Sequence, residues 1–231
     1  RSRLNSLVEL HERYEGVGAG VRAVMAEFAP DGQRGQGAGV CGLIIDRLQC
    51  SEDMTLPLAA ALGDRLQSVV VESTEGALPV LDFLREGAHG RVTLQPRRLR
   101  RVSGSLRPLP MEAGIIGRLS EHVQVPLADR EWMHHLLASF VIVDDLQVAL
   151  RLRHTLADDY TLVTMNGEVL LPDGTLTGGA PEDVGAHLIA LKREMRGLTK
   201  LVADAEGRLD VAEVHHRELR SAIVERQASI E

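Results

Sequence analysis

The spacing of apolar positions changes along this chain, and the longest regular stretch is helical. From Leu188 one set reads Leu188, Met195, Val202, Leu209, His216, Ile223 and Ile230, and a second reads Leu191, Leu198, Ala205, Ala212, Leu219 and Arg226. Eleven of these thirteen positions are apolar. A single surface helix of a globule does not sustain so many heptads, so the pattern predicts a coiled-coil arm. Pro181 suits a first helical position, and Glu182 and Asp183 place acids where the positive helix end favours them. At the other end RSRLNSLVELHERYE (1–15) also reads as helix, with a seam of Leu4, Leu7, His11 and Tyr14, until Gly16, Gly18 and Gly20 interrupt it. Residues 1–14 are expected to lie antiparallel against 184–200, leaving the arm beyond Leu201 with an unpartnered seam. A chain that opens within a helix reads as an internal piece of a longer protein.

Between the arms the period shortens to that of an α/β pattern. LIIDRLQC is an amphipathic stretch, PLAAALGDRLQ a helix closed by Gly63, SVVVE a buried strand, GALPVLDFLREG a helix and RVTL a strand. The basic run QPRRLRRVSGSLRPLP, rich in Pro, Ser and Gly, reads as a linker. The pattern then starts again. Gly114-Ile115-Ile116-Gly117 answers Gly39-Val40-Cys41-Gly42, LSEHVQV answers IIDRLQC, HHLLAS answers AAALGD, FVIVDD answers SVVVES, the helix at 147–156 answers that at 77–84, and TLVTM answers RVTL. An offset held near 70 to 75 residues indicates an internal duplication of one α/β unit.

Composition narrows the function. With 231 residues the chain can build a substantial core, but aromatics are only 3%, which argues against a base-stacking platform for single strands. The net charge of −7 confines any nucleic-acid contact to a local basic patch. Cys41 and Cys50 form no Cys-x-x-Cys pair and fit free thiols in a reducing compartment. No signal peptide and no membrane-length apolar run is present.

The candidate chemistry is sparse. GVGAGVRAV has the glycines of a phosphate loop, but HERYE before it is polar and helical where that loop needs a strand. His134-His135 and His215-His216 are neighbours that point about 100° apart on a helix, so neither pair is a metal site. Asp144-Asp145 and Asp158-Asp159 flank a helix and read as caps or solvated charges. No nucleophile–base set, metal site or cofactor site stands out, and no Gly-rich Lys-Ser/Thr loop of an ATPase is present.

GVGAGVRAVM (16–25), GVCGLIIDRLQC (39–50), LAAALGDRLQSVVVES (58–73), GRVTL (90–94) and VTMNGEVLLPDGTLTGG (163–179), in this order and between two arms, resemble the hinge of bacterial SMC (structural maintenance of chromosomes) proteins. The resemblance implies an α/β (α+β) fold of two related subdomains between antiparallel coiled-coil arms. The expected boundaries are 1–15 for the first arm, 16–108 and 109–181 for the subdomains, and 182–231 for the second arm. It further implies a homodimerisation module without catalytic activity of its own, within a cytoplasmic, nucleoid-associated parent whose ATPase head, kleisin and accessory subunits lie elsewhere. Gly174, Gly178 and Gly179 carry over to the hinge–hinge interface, although many relatives have two glycines where this chain has Asp173-Gly174. Weak, sequence-independent DNA contact is assigned to Arg97, Arg98, Arg100 and Arg101, with Lys192 and Arg193 near the arm junction as a second patch. Two competing readings remain: a small α/β nucleotide-binding enzyme with a coiled-coil oligomerisation tail, and a DNA-binding module centred on the arginine linker.

Overall fold

The computed structural model describes residues 2–12, 17–29, 39–98, 108–156, 159–179 and 184–228. Residues 13–190 form one compact unit, and residues 1–12 with 191–231 form another.

In the larger unit, α2 (Ala19–Phe28) precedes two runs whose strands and α-helices come in the same order, with an added 3₁₀ turn at Gly63–Gln67 after the first run's α3 and at Leu127–Asp129 before the second run's α5. The first is β1 (Val40–Leu43), a 3₁₀ turn at Ile44–Arg47, β2 (Gln49–Cys50), α3 (Thr55–Leu62), β3 (Val69–Val71), α4 (Ala77–Glu86) and β4 (Leu94–Pro96). The second is β5 (Ile115–Arg118), a 3₁₀ turn at Leu119–Glu121, β6 (Val123–Gln124), α5 (Arg130–Leu137), β7 (Phe140–Val143), α6 (Leu146–Leu152) and β8 (Thr161–Thr164). Their pairings match as well. β1 runs antiparallel to β3 and β3 parallel to β4, while β5 runs antiparallel to β7 and β7 parallel to β8. Even the irregularity is repeated, between Val40 and Gly42 in one copy and Ile115 and Gly117 in the other.

The two repeats meet through β2 and β6, which pair antiparallel with Gln49 opposite Gln124 and Cys50 opposite Val123. Gln49 therefore faces its own counterpart, and Cys50 faces the counterpart of Leu48. This reciprocity is what a two-fold relation demands. The sheets differ in extent. The first is β1-β3-β4, whereas the second continues past β8 through a meander to β9 (Val169–Leu170) and β10 (Leu176–Thr177), in the order β10-β9-β8-β7-β5.

Strand period decides where the core sits. On β7, Phe140 and Ile142 point into the main core shared by both repeats, and Val141 and Val143 into a smaller core under α6 with Leu152, Leu162 and Leu170. Leu188 and Ile189, at the start of α7 (Val184–Ala228), complete the main core.

The smaller unit holds α1 (Ser2–Glu12) and most of α7, joined by an ion pair of Arg3 Nε to Glu194 Oε1 at 2.9 Å. Leu7 is buried, as the α1 seam predicts, while His11 and Tyr14 lie outside the described side chains. With 45 residues α7 is roughly 68 Å long at 1.5 Å per residue. Its heptad residues Leu209, Leu219 and Ile223 are all more than half exposed, so among the described residues nothing covers the outer part of the seam. Among the described residues no helix is long and apolar enough to cross a membrane.

Three local expectations are corrected. Gly20 does not break a helix but lies inside α2. LIIDRLQC is not one amphipathic element; it is a strand end, a 3₁₀ turn and a strand. The strand read at RVTL begins only at Leu94 and runs into Gln95-Pro96, which were assigned to the linker.

Candidate functional site

The second sheet ends in two successive hairpins built on the same turn. In the first, Gly167 donates to the Thr164 carbonyl at 3.0 Å and Thr164 to the Glu168 carbonyl at 2.9 Å. In the second, Gly174 donates to the Leu171 carbonyl and Leu171 to the Thr175 carbonyl, each at 2.9 Å. Both are three-residue loops closed by a glycine at positive φ, +84° at Gly167 and +89° at Gly174. Pro172 presets the first loop dihedral, and Asp173 Oδ1 accepts from Thr175 N at 2.8 Å. The Thr175 backbone and hydroxyl donors, helped by the charge of Arg153, hold the Asp173 carboxyl below its ordinary range. Gly174 is thus required by the turn itself. Asp173 supplies the side-chain acceptor that ties the turn to Thr175.

The turn sets the register of the last strand. The bond from Leu171 to Thr175 makes these two a hydrogen-bonded pair. Hydrogen-bonded and open pairs alternate along an antiparallel ladder, so Leu176 opposite Leu170 is open and Thr177 opposite Val169 is bonded. The backbone N–H and C=O groups of Leu176 and Gly178 therefore face away from β9. Among the described residues nothing pairs with that edge, and the Leu176 side chain is 49% exposed. A Cβ on Gly178 would lie 3.0 Å from Glu168 Cγ on the sheet side, and one on Gly179, at φ +131°, would meet nothing within 4 Å. The chain leaves the sheet through two residues whose backbone is bare.

A charged cluster lies where the two repeats touch, and it absorbs part of the basic run. Arg97 follows β4 directly. Its Nε is 2.9 Å from Asp129 Oδ1, its Nη1 donates to Glu72 Oε2 at 3.2 Å and its Nη2 to the Ala128 carbonyl at 3.2 Å. Asp129 is fully buried; its Oδ1, ion-paired with Arg97, accepts a hydrogen bond from Trp132 Nε1 at 3.0 Å, and its Oδ2 one from Arg47 Nη1 at 3.3 Å. Arg47 reaches back to the Cys41 carbonyl as well. Burial works against the Arg97 charge, but Asp129, Cys41 and Glu72 outweigh it and raise its pKa above the ordinary arginine value. Arg98 is different: it pairs with Glu72 at 3.2 Å while its side chain stays 76% exposed.

The other predicted residues scatter. Arg100 and Arg101 lie outside the described residues, and Lys192 and Arg193 are half-buried on α7 in the smaller unit. Sequence reasoning missed Asp129, Glu72 and Arg47. The local signal was Asp129 three residues before the only tryptophan, the spacing that lets the indole donate to the carboxylate.

The remaining motifs resolve into packing. Gly18 donates to Gln67 Oε1 at 3.0 Å, and a Cβ on Gly20 would stand 2.8 Å from the Arg91 carbonyl. The glycine run therefore lets α2 approach a backbone segment. Asp145 caps α6 by accepting from Val148 N at 2.9 Å. Cys41 and Cys50 are free thiols, and among the described residues no group of three or more His, Cys, Asp or Glu is placed to hold a metal ion.

Comparison with known proteins agrees with this geometry. A profile of the SMC proteins Flexible Hinge Domain matches residues 37–153. The chromosome partition protein Smc of Myxococcus xanthus is 33% identical over 221 residues, covering 95% of this chain and 18% of that protein. The Smc protein of Bacillus subtilis is 26% identical over 227 residues, covering 96% of this chain and 19% of that protein. The chain thus spans about a fifth of the length of these relatives. Among solved structures, an asymmetric dimer of the Geobacillus stearothermophilus SMC hinge domain aligns with a TM-score of 0.70 at 26% identity, over 89% of this chain and 84% of that one. The Pyrococcus furiosus SMC hinge domain shares the fold, with a TM-score of 0.55 at 20% identity over 77% of this chain and 88% of that one.

Proposed function

We propose that this chain, which belongs to the flexible hinge domain family of SMC proteins, joins two copies of its parent by pairing the outer edge of β10 in one copy with the outer edge of β4 in the other. The observation that carries the reading is the bare edge of β10, where Leu176 and Gly178 turn their N–H and C=O groups outward beside the exposed Leu176 side chain. An edge of this kind is a template for another strand.

The complement is on the first repeat. β4 occupies the place that β8 holds in the second sheet, and among the described residues no strand pairs with its outer edge where β9 would lie. Val69 donates to the Thr93 carbonyl and Arg97 to the Val71 carbonyl, so alternation turns Leu94 and Pro96 outward. Pro96 has no N–H to waste, as befits an edge. Two copies related by a two-fold axis would make the β10–β4 contact twice and close the dimer, leaving no free end for further growth. That the Geobacillus stearothermophilus hinge crystallised as an asymmetric dimer supports the association of two copies.

The module acts as a joint and not as a catalyst. The wider assignments rest on the family: a parent that hydrolyses ATP at a distant head, works with kleisin and accessory subunits, partitions chromosomes in the cytoplasm at the nucleoid, and touches DNA weakly at its basic residues. Light scattering on the chain and on the double variant Leu176→Glu, Gly178→Glu, with circular dichroism as the control for folding, tests the joint. The chain should have twice the 25.2 kDa protomer mass and the variant the protomer mass. A folded variant that stays dimeric overturns the interface, and a chain that is monomeric at tens of micromolar overturns the function.

A further inference from the structure

We propose that the buried Asp129 carboxylate clamps the two repeats together and, through Arg97, fixes the β4 edge for pairing; the second half of this proposal rests on the dimer reading above. The clamp follows from where the partners come from. Asp129 belongs to the second repeat and has no exposed surface, yet Arg97 at 2.9 Å and Arg47 at 3.3 Å belong to the first. A carboxylate without water is tolerated only when paired, and arginine does not lose its proton in a protein. Separating the repeats at this seam would strand a buried negative charge, so the pair holds the repeats in one relation. Trp132, on the next turn, completes the site by donating its indole N–H.

The link to the edge is covalent. Arg97 is the residue after Pro96, the last of β4, and its backbone N–H continues the ladder to the Val71 carbonyl at 2.8 Å. The same residue reaches Asp129 and the Ala128 carbonyl on the second repeat and Glu72 at the end of β3. The carboxyl end of β4 is therefore anchored from three sides by one guanidinium. Releasing it leaves the end of a three-residue edge strand held by the backbone bonds of Arg97 to Val71 and of Arg98 to Glu72 and by the exposed Arg98–Glu72 pair. Arg98, one residue on, pairs with Glu72 and keeps most of its side chain in water, which makes it the internal control.

The chain carries its own reporter. Trp132 is its only tryptophan and is 3% exposed, so its emission reads the clamp directly. In the full chain, Arg97→Gln should red-shift Trp132 emission, speed amide exchange at 94–96 and weaken dimerisation at least tenfold, whereas Arg98→Gln should change none of these. Asp129→Asn keeps the shape and an acceptor for the indole while removing the charge, and should weaken dimerisation likewise. Wild-type emission and dimer affinity in R97Q overturn the proposal, as does an equal loss in R97Q and R98Q. Should R97Q fail to fold while R98Q folds, the clamp is upheld, and D129N with wild-type affinity would overturn the link to the edge. If the Leu176, Gly178 double variant leaves the dimer intact, the pairing reading is what has failed. The clamp is then decided by Trp132 emission and exchange at 94–96, and no change in R97Q overturns it.

Discussion

Gly20→Ala separates the two readings of the glycine run most sharply. The added Cβ would stand 2.8 Å from the Arg91 carbonyl oxygen, 3.2 Å from that of His89 and 3.0 Å from Val92 Cγ2. Ordinary contacts of this kind lie near 3.5–4.0 Å, so the overlap is about half an ångström or more against two backbone groups. The Val92 methyl can rotate away, but the carbonyls move only if the segment moves. That segment is held by the His89 ring stacked on Phe83 at 4.6 Å and by Val69 donating to the Thr93 carbonyl at 2.9 Å. Overpacking of this kind costs roughly 1–3 kcal/mol. Alanine returns at most about 1 kcal/mol of helix propensity, and less at the second residue of a helix.

The net expectation is a loss of about 1–2 kcal/mol, or roughly 2–8 °C in Tm for a globule of this size. Urea unfolding followed by Trp132 emission, at fixed protein concentration, measures it. Gly207→Ala on α7 is the control, because a Cβ there meets nothing within 4 Å. It should leave the globule unchanged and favour the arm helix slightly. A midpoint for G20A at or above that of the parent, with the same slope, would refute the close approach and reopen the phosphate reading of the run.

Three further outcomes are expected. The Asp173 carboxyl is held below its ordinary value of 3.8 by Thr175 and Arg153, so its contribution to folding is fully present above that value and lost as pH falls below it through the lower folded-state pKa; the urea midpoint should fall below about pH 4 more steeply in the parent than in Asp173→Asn, and parallel pH profiles would refute the turn's role. Changing Arg98, Arg100 and Arg101 together to Glu should weaken binding to duplex DNA and flatten its salt dependence without changing the solution mass, Arg97 being spared because its charge is used internally; equal affinity of variant and parent would dismiss the linker patch. Amide exchange on α7 should be fast over 203–223, where every described side chain is exposed, and slower over 191–198, and the reverse order would refute the arm assignment.

Much of the fold was legible because it is repeated. A four-residue strand such as FVIV is ambiguous alone, since a short apolar run fits a buried strand or a buried helix. Read beside SVVVE at the matching offset it becomes a strand, and both are fully buried central strands. The arm was legible for a similar reason, because heptads accumulate evidence over 45 residues. What failed was local and short. The sequence AGVRAVMAEF is a good helix, but three glycines just before and within its first turn hid it, and only the approach of Arg91 explains why Gly20 is there. The strand at 94–96 was masked by proline and arginine, residues that usually end strands and that an edge tolerates.

The arginine run shows where a one-dimensional reading must stop. Arg97 and Arg98 are adjacent, equally charged and read together as one patch, yet their side chains are 23% and 76% exposed. The difference comes from Asp129, 32 residues later in the chain. A carboxylate in the second repeat can select one arginine in the first only because β2 and β6 bring the repeats together about a two-fold axis. The same axis makes the two sheets equivalent, and the hairpins at Gly167 and Gly174 then make them unequal by adding strands to one. A duplicated unit with equal sheets would offer two like edges. With unequal sheets it offers, among the described residues, two unlike free edges, and in the proposed two-fold dimer each copy gives one and receives the other, so that both are used and growth stops.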